Sequence, residues 1–354
     1  MFSKVLIANR GEAAVRVIRA CRDLGVRTVA VYSEADANCL HVRIADEAVC
    51  IGPAATGRSY LNVPHIVQAA LMTGAEAIHP GTGFLSESAA FAEICIGYGL
   101  NFIGPLPETI WQLGDKARAR TVMRDAGLPV MPGSDAPVRS LDDAKALAES
   151  LGYPVMLKAV NGGGGKGIRK LQSSQELVAA FPVAQAEASS AFGNPEIYLE
   201  KCIEDARHVE VQILGDRHGA IIHLGERDCS LQRRAQKVIE EAPASGLPMA
   251  VRDRLCTAAV VGARAANYVN AGTWEFLVDR DDNFHFMEAN TRLQVEHPVT
   301  EAVTGIDMVR MQLEVASGGH LPWTQDQITI RGHAIECRIT ADRSEEHTSE
   351  LQSR

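Results

Sequence analysis

The sequence predicts a mixed architecture, an N-terminal doubly wound α/β unit followed by an α+β body that carries a small β-rich lid. Three observations predict it. In the first hundred residues, short apolar runs alternate with helical patterns, as parallel βα units do. Proline and glycine cluster at Pro105-Leu106-Pro107 and again over 128–133, and such clusters part a chain into units. Over 153–171 the pattern becomes strand, glycine loop, strand, which suits an inserted lid.

The elements follow in order. Residues 4–8 form an apolar run of parallel-strand type, and Gly11 ends the turn after it. Residues 13–24 read as a helix with Val15, Ile18 and Cys21 on one face and Gly25 as its stop. Residues 28–32 are a β-branched strand, and the pattern recurs at 77–79 and 101–104. Residues 196–219 read as a pair of strands around a charged turn, and the larger body runs to about Gly319.

At 354 residues, 46% hydrophobic and 22% charged, the composition is that of a globular protein of two or three domains. A formal charge of −9 without any basic stripe argues against nucleic acid as a partner. The basic cluster Arg233-Arg234 with Lys237 can still hold a small anion. Eight cysteines are scattered without a CxxC pair, and residues 1–10 are too short an apolar run for a signal or a membrane span. Reduced thiols and a cytoplasmic location, away from the membrane, are the expectation.

Residues 161–167 contain four consecutive glycines and a G-x-G-x-x-G match. A dinucleotide fingerprint needs a helix after the glycines, and Ile168-Arg169-Lys170-Leu171 alternates like a strand instead. A P-loop needs Lys followed by Ser or Thr after its last glycine. What remains is a hairpin loop whose bare backbone N–H groups can fold over phosphates, with Lys158 supplying charge. A plain surface turn with a solvated lysine is the alternative.

The segment 273–290 reads as two strands around an Asp-rich turn. A two-residue loop at Asp281-Asp282 would set Glu275 directly across from Glu288, with Cβ atoms about 5 Å apart on one face. Like charges so placed call for a cation between them, and Asn290 shares their face by the two-residue period. Two carboxylates and an amide oxygen suit Mg²⁺, which also seeks phosphate oxygens. The alternative is a pair of exposed edge carboxylates. Continuing the same period, Arg292, Gln294 and Glu296 point one way, where a cation can clamp an oxyanion and a carboxylate can take a proton. A structural Arg292–Glu296 ion pair is the other reading.

Several stretches together resemble the biotin carboxylase component of biotin-dependent carboxylases, in the ATP-grasp superfamily. They are Ile7-Ala8-Asn9-Arg10-Gly11-Glu12, Ala77-Ile78-His79-Pro80-Gly81, Gly83-Phe84-Leu85-Ser86-Glu87 and 158–167. They continue as Arg207-His208-Val209-Glu210, Glu226-Arg227-Asp228-Cys229-Ser230, Gln232-Arg233-Arg234, 237–243 and 290–301. The resemblance covers nearly all of residues 1–342. It implies a pre-ATP-grasp domain at 1–110 and an ATP-grasp domain at 111–325, with the lid at about 131–205. It further implies the start of a truncated C-terminal domain at 326–342, and residues 343–354 read as a non-native tail.

The reaction implied is phosphorylation of bicarbonate by ATP to carboxyphosphate, followed by carboxylation of biotin on a carrier domain. Lys116, Lys158, Gly164, Gly165, Glu200, Lys201, Ile203, His208, Gln232 and Leu277 fall at the family's ATP positions. Glu275, Glu288 and Asn290 fall at its Mg²⁺ (or Mn²⁺) positions. Lys237, Arg292, Gln294, Val295 and Glu296 match its bicarbonate pocket, with Glu296 as base, and Arg338 matches the residue that steadies the biotin enolate. Biotin carboxyl carrier protein, carboxyltransferase subunits and a homodimer are the implied partners, and acetyl-CoA carboxylase is the commonest setting. The chain departs from the pattern at Ala235, where a histidine is usual, and at Thr82, Ser88 and Ala289. Ala235 removes a polar contact to the nucleotide. Another ATP-grasp ligase and an inactive nucleotide-binding protein are the rival readings.

Overall fold

The computed structural model describes residues 1–160, 167–233 and 235–339, and the backbone alone of Phe192. The N-terminal sheet is built from β1 (Lys4–Ile7), β2 (Arg27–Ser33), β3 (Glu47–Gly52), β4 (Ala77–His79) and β5 (Asn101–Phe102). All neighbours are parallel, in the order β3-β2-β1-β4-β5. The helices that link them are α1 (Gly11–Asp23), α2 (Leu40–Ile44), α3 (Val63–Thr73) and α4 (Ala89–Gly97). Local signals set their ends. The Asn62 side chain caps α3 by accepting from His65 N at 3.2 Å, and Gly74 closes it at φ +66°.

The buried face of α1 is Ala14, Val17, Ile18, Ala20 and Cys21, so Val17 and not Val15 carries the stripe expected of this helix. At about 100° per residue Val15 falls roughly 110° from the centre of the strip that meets the neighbouring core, which runs through 14, 17, 18 and 21. Strand order reverses between β1 and β4, where such sheets open a crevice for ligands. Asn9 spans that crevice, donating from Nδ2 to Pro80 O at 2.7 Å and Thr82 O at 2.8 Å.

Helices α5 (Pro107–Gly114) and α6 (Lys116–Asp125) lead to the lid. The lid contains α7 (Leu141–Leu151), β6 (Val155–Ala159), β7 (Ile168–Leu171), α8 (Ser174–Phe192) and β8 (Ile197–Lys201), with antiparallel sheet order β7-β6-β8. It is not merely β-rich, because α7 and α8 cover one side of its three strands. The expected strand pair over 196–219 is also divided between two sheets. β8 ends the lid, while β9 (Arg207–Gly215) begins the body.

The body sheet adds β10 (Ile221–Arg233), β11 (Gln236–Ala242), β12 (Asn270–Val278), β13 (Phe284–Asn290) and β14 (Ala334–Cys337). Its order is β13-β12-β9-β10-β11-β14, antiparallel throughout. Helix α9 (Met249–Ala265) covers one face, and α10 (His297–Thr304) and α11 (Met308–Ala316) follow β13. Period-2 alternation divides the central strands. Val209, Val211, Ile213, Trp274, Phe276 and Val278 enter the core under α9, which leaves His208, Glu210, Gln212, Thr273 and Glu275 on the opposite face. Another core joins α1 and α11, so the first unit and the body pack as one.

Gly272 lies on the core side of β12, where an added Cβ would come within 2.0 Å of the Tyr268 hydroxyl oxygen. Tyr268 cannot yield, because it packs edge-on against Trp274 and donates to Ala271 O at 2.9 Å. Gly272→Ala is expected to cost about 1–3 kcal/mol of stability, read as a lower urea midpoint at constant slope.

Candidate active site

The hairpin reaches the expected pairing by an unexpected route. Its turn holds three residues, 280–282, closed by Asp279 N donating to Asn283 O at 2.8 Å. Asp279 Oδ1 accepts from the N–H groups of Asp281 and Asn283, both at 2.9 Å, and Asp282 takes φ +60°. Near the turn, Phe276 pairs with Phe286, a register that would leave Glu275 facing Met287. A bulge at Met287 then adds one residue to β13, and Glu275 does pair with Glu288. The longer turn and the bulge cancel.

Strand β12 runs in unbroken register with β9, pairing Glu275 with Glu210 and Leu277 with His208. Arg227 on β10 pairs with Glu210 in turn. Lys237 of β11 reaches into this face, with Nζ 2.8 Å from Glu275 Oε1 and 2.6 Å from Glu296 Oε1, and it also donates to Glu210. Beneath it lies Arg227, fully buried, donating to Glu210 at 2.6 Å, Gln212 at 2.7 Å, Thr300 at 3.0 Å and Gln294 at 3.2 Å.

Burial opposes every charge here, and the partners decide each outcome. Lys237 loses solvation, yet Glu210, Glu275 and Glu296 hold its pKa well above the ordinary lysine value. Burial raises Glu275, but Lys237 and His208 prevail and hold it well below the carboxylate range. His208 Nε2 lies 2.9 Å from Glu275 Oε2 and is raised by that charge against the pull of burial. Glu296 is brought down to about 2, as Lys237 and Arg227 outweigh its desolvation. Glu288 differs: burial and then the Glu275 charge both push it up, and the Lys116 ammonium stands 4.0 Å away.

The strand period does not extend beyond Asn290. Residues 291–296 form a loop into α10, and convergence comes from that loop folding back over the sheet. Gln294 Nε2 donates to Glu275 Oε1 at 2.9 Å, as does Asn290 Nδ2 at 2.8 Å. Arg292 turns to the first unit, donating to Glu87 Oε2 at 2.8 Å and to Asn290 Oδ1 at 3.1 Å. Its ion pair is thus with Glu87 rather than with Glu296. Val295 sits in the same loop, in a small cleft beside Gly81 and Thr82. Glu296 is met from the other side by Arg338, whose Nη2 is 2.8 Å from Oε2.

Among the residues matched to ATP, Lys158 is paired with Glu200, which Arg120 also approaches at 3.4 Å. Gln232 Nε2 lies 2.9 Å from His208 Nδ1, and Leu277 shares the face of Glu275. Lys201 alternates away from Glu200. Its ammonium donates to the Gly152 and Tyr153 carbonyls at 2.8 and 3.2 Å. With Ile203, Pro132, Pro154 and His285 it lines a cavity of about 350 Å³. Gly164 and Gly165 lie outside the described residues, as does the stretch 340–354. Sequence reading assigned no role to Glu87, Glu210, Arg227 or Glu240, although all four hold the cluster together. The signal available for Glu210 was its two-residue offset from His208.

Residues 1–110 match the biotin carboxylase N-terminal domain, and residues 115–324 match the carbamoyl-phosphate synthase L chain ATP binding domain. The chain is 55% identical to a biotin carboxylase of Nostoc sp. over 96% of its own length and 76% of that protein. It is 54% identical to biotin carboxylase 1 of Bacillus subtilis, covering 97% and 76%. A Campylobacter jejuni biotin carboxylase–β-γ-ATP complex superimposes with a TM-score of 0.95 at 49% identity, over 98% of this chain and 77% of that one. The biotin carboxylase domain dimer of Hydrogenobacter thermophilus 2-oxoglutarate carboxylase, in complex with MgADP, ADP and bicarbonate, gives 0.93 at 50% identity, covering 96% and 74%. With this sheet, this cluster and these relatives, the chain belongs to the biotin carboxylase family.

Proposed function

We propose that the protein is a ligase that uses ATP and bicarbonate to carboxylate biotin on a carrier protein, by way of carboxyphosphate. The observation that carries the proposal is the junction of Lys237, Glu296 and Arg338 beside the Glu275–Glu288 pair. Phosphate chemistry and an anion pocket with its own carboxylate meet there. The shared ATP-binding domain fits other ATP-grasp ligases too, but the Glu296–Arg338 pocket favours biotin.

Lys116, Lys158, Glu200, Lys201, Ile203, His208, Gln232, Leu277 and the glycine loop are assigned to ATP. The hard oxygens of Glu275 and Glu288, with Asn290, suit Mg²⁺, and the raised Glu288 carboxyl marks a place short of positive charge. When bound there, the ion would neutralise nucleotide phosphates. Bicarbonate is assigned to Lys237, Arg292, Gln294, Val295 and Glu296. As it draws the Lys237 donors to itself, Glu296 is freed from the contact that holds its basicity down and can take the bicarbonate proton. Arg338 then faces the biotin oxygen that gains charge.

We divide the chain into units 1–110, 111–325 with the lid at about 131–205, and the beginning of a third unit at 326–342. A cytoplasmic setting agrees with eight free cysteines, and among the described residues no helix is long and apolar enough to cross a membrane. Biotin carboxyl carrier protein, carboxyltransferase subunits and a second copy are the proposed partners, with acetyl-CoA carboxylase as the setting.

The test is ATP cleavage measured with and without bicarbonate and free biotin. The chain would be assayed alone and joined to the part of a relative that it does not span. Cleavage that needs bicarbonate and rises with biotin is expected; cleavage indifferent to both overturns the reading. A second outcome concerns the metal. Glu288→Gln removes a like-charge pairing worth about 0.2–1 kcal/mol, so the ligand-free melting temperature is expected to hold or rise. The further rise produced by MgADP should fall sharply in the same variant.

A further inference from the structure

Arg338 is held between two carboxylates, and a third lies beside it. Its Nε donates to Glu240 Oε1 at 2.7 Å and its Nη2 to Glu296 Oε2 at 2.8 Å. Glu336, two residues earlier on β14, pairs directly with Glu240 across the strands. Opposed side chains in such a pair have Cβ atoms about 5 Å apart. The Glu240 side chain is fully buried, and each of the two acids has one buried oxygen, Oε2, with no hydrogen-bond partner. Two ionised carboxylates cannot share such a place without an intervening cation, and Arg338, the guanidinium that donates to Glu240, is already bound to Glu296 as well.

We propose that Glu240 and Glu336 hold one proton between them and so act as a positioning pair, keeping Arg338 balanced between Glu240 and Glu296 and turned toward biotin. The inference rests on the assignment of Arg338 to biotin in the proposed function. Glu336 is faced by Glu240 from β11, by Glu296 from the loop before α10, by Arg227 from β10 and by Arg338 just past the end of β14. Glu240 is faced by Arg338, Glu296 and Lys237. Burial first, and then the two neighbouring carboxylates, push Glu336 up to about 7, and Glu240 is raised by burial and by Glu296.

With the proton in place the pair carries one negative charge, which the guanidinium matches. As pH rises through about 7 the second charge appears, draws Arg338 toward Glu240 and loosens it from the Glu296 side. The stability sign is the reverse of that for a salt-bridged acid. The folded chain binds this proton more tightly than the unfolded one, so the contribution is full below about 4.5 and is lost as pH rises through about 7.

Carbon-13 NMR of glutamate carboxyl groups in the full chain, titrated from pH 4 to 9, reads the proton without needing activity. One carboxyl is expected to titrate near 7. Glu336→Gln should abolish that transition, and Glu240→Gln should move it toward the ordinary glutamate range. If every carboxyl of the unsubstituted chain titrates below about 5.5, the pair is ionised and the proposal is overturned. With activity, the KM for biotin is expected to rise about tenfold between pH 7 and 8.5, and less than twofold in Glu336→Gln. A tenfold rise in both would overturn the positioning role while leaving the carboxylase reading intact. Absence of biotin-dependent turnover would count against that reading alone, because the NMR result stands apart from it.

Discussion

Replacing Arg227 with alanine is expected to lower the stability of the chain by about 3–5 kcal/mol, a large share of the 5–15 kcal/mol typical of a folded domain. Its guanidinium is fully buried and spans Glu210, Gln212, Thr300, Thr273 and Gln294. Without it, Glu210 keeps only Lys237 as a cationic partner, and two amide oxygens and two hydroxyls lose their donor. The loss should appear as a lower denaturant midpoint and a lower melting temperature, before any assay of chemistry. Arg280→Ala is the control: that side chain pairs with Asp205 in solvent, where such pairs contribute little. Equal effects for the two variants would show that the buried network does not organise the sheet.

Glu296→Gln is expected to reduce turnover about 10²–10⁴-fold while changing the KM for ATP little. Glutamine keeps the shape and can still accept from either Lys237 or Arg338 through its one carbonyl oxygen, but it cannot take a proton from bicarbonate. The resting carboxyl sits at about 2 because Lys237 and Arg227 outweigh its desolvation. An acid limb near pH 5–6 in kcat/KM, which reports the free enzyme, therefore belongs to another group, and the variant should retain that limb in its residual activity. Single-turnover phosphate release with bicarbonate, compared with nucleotide binding, separates the lost step from a damaged site. A variant with unchanged turnover would remove Glu296 from the chemistry.

Much of the fold could be read from the chain because local rules and tertiary packing agree there. The βα alternation before Pro105 and the two alternating strands on either side of the glycines both carry into the structure. The hairpin was legible only in part. Its turn chemistry fixes a loop of three residues, and nothing in Met287 announces the bulge that restores the pairing. Arg227 was hidden for a different reason. His208-Val209-Glu210-Val211-Gln212-Ile213 has the alternation of a strand with one face in water, yet that polar face is covered by the loop at 291–296 and by Lys237. Only the assembled sheet shows that these charges neutralise one another. The Glu240–Glu336 pair was equally out of reach, since it depends on β14 joining β11 from almost a hundred residues away.

The unbroken pairing of β12 with β9 has a practical consequence. Glu275 takes its position from the interior of the sheet, not from the strand that returns to it through 280–282. The tip of that hairpin is solvent-facing, while Glu288 and Asn290 lie at the far end of the returning strand. A short peptide tag inserted at the tip should therefore leave Glu275 in place, because the β9–β12 pairing does not pass through it.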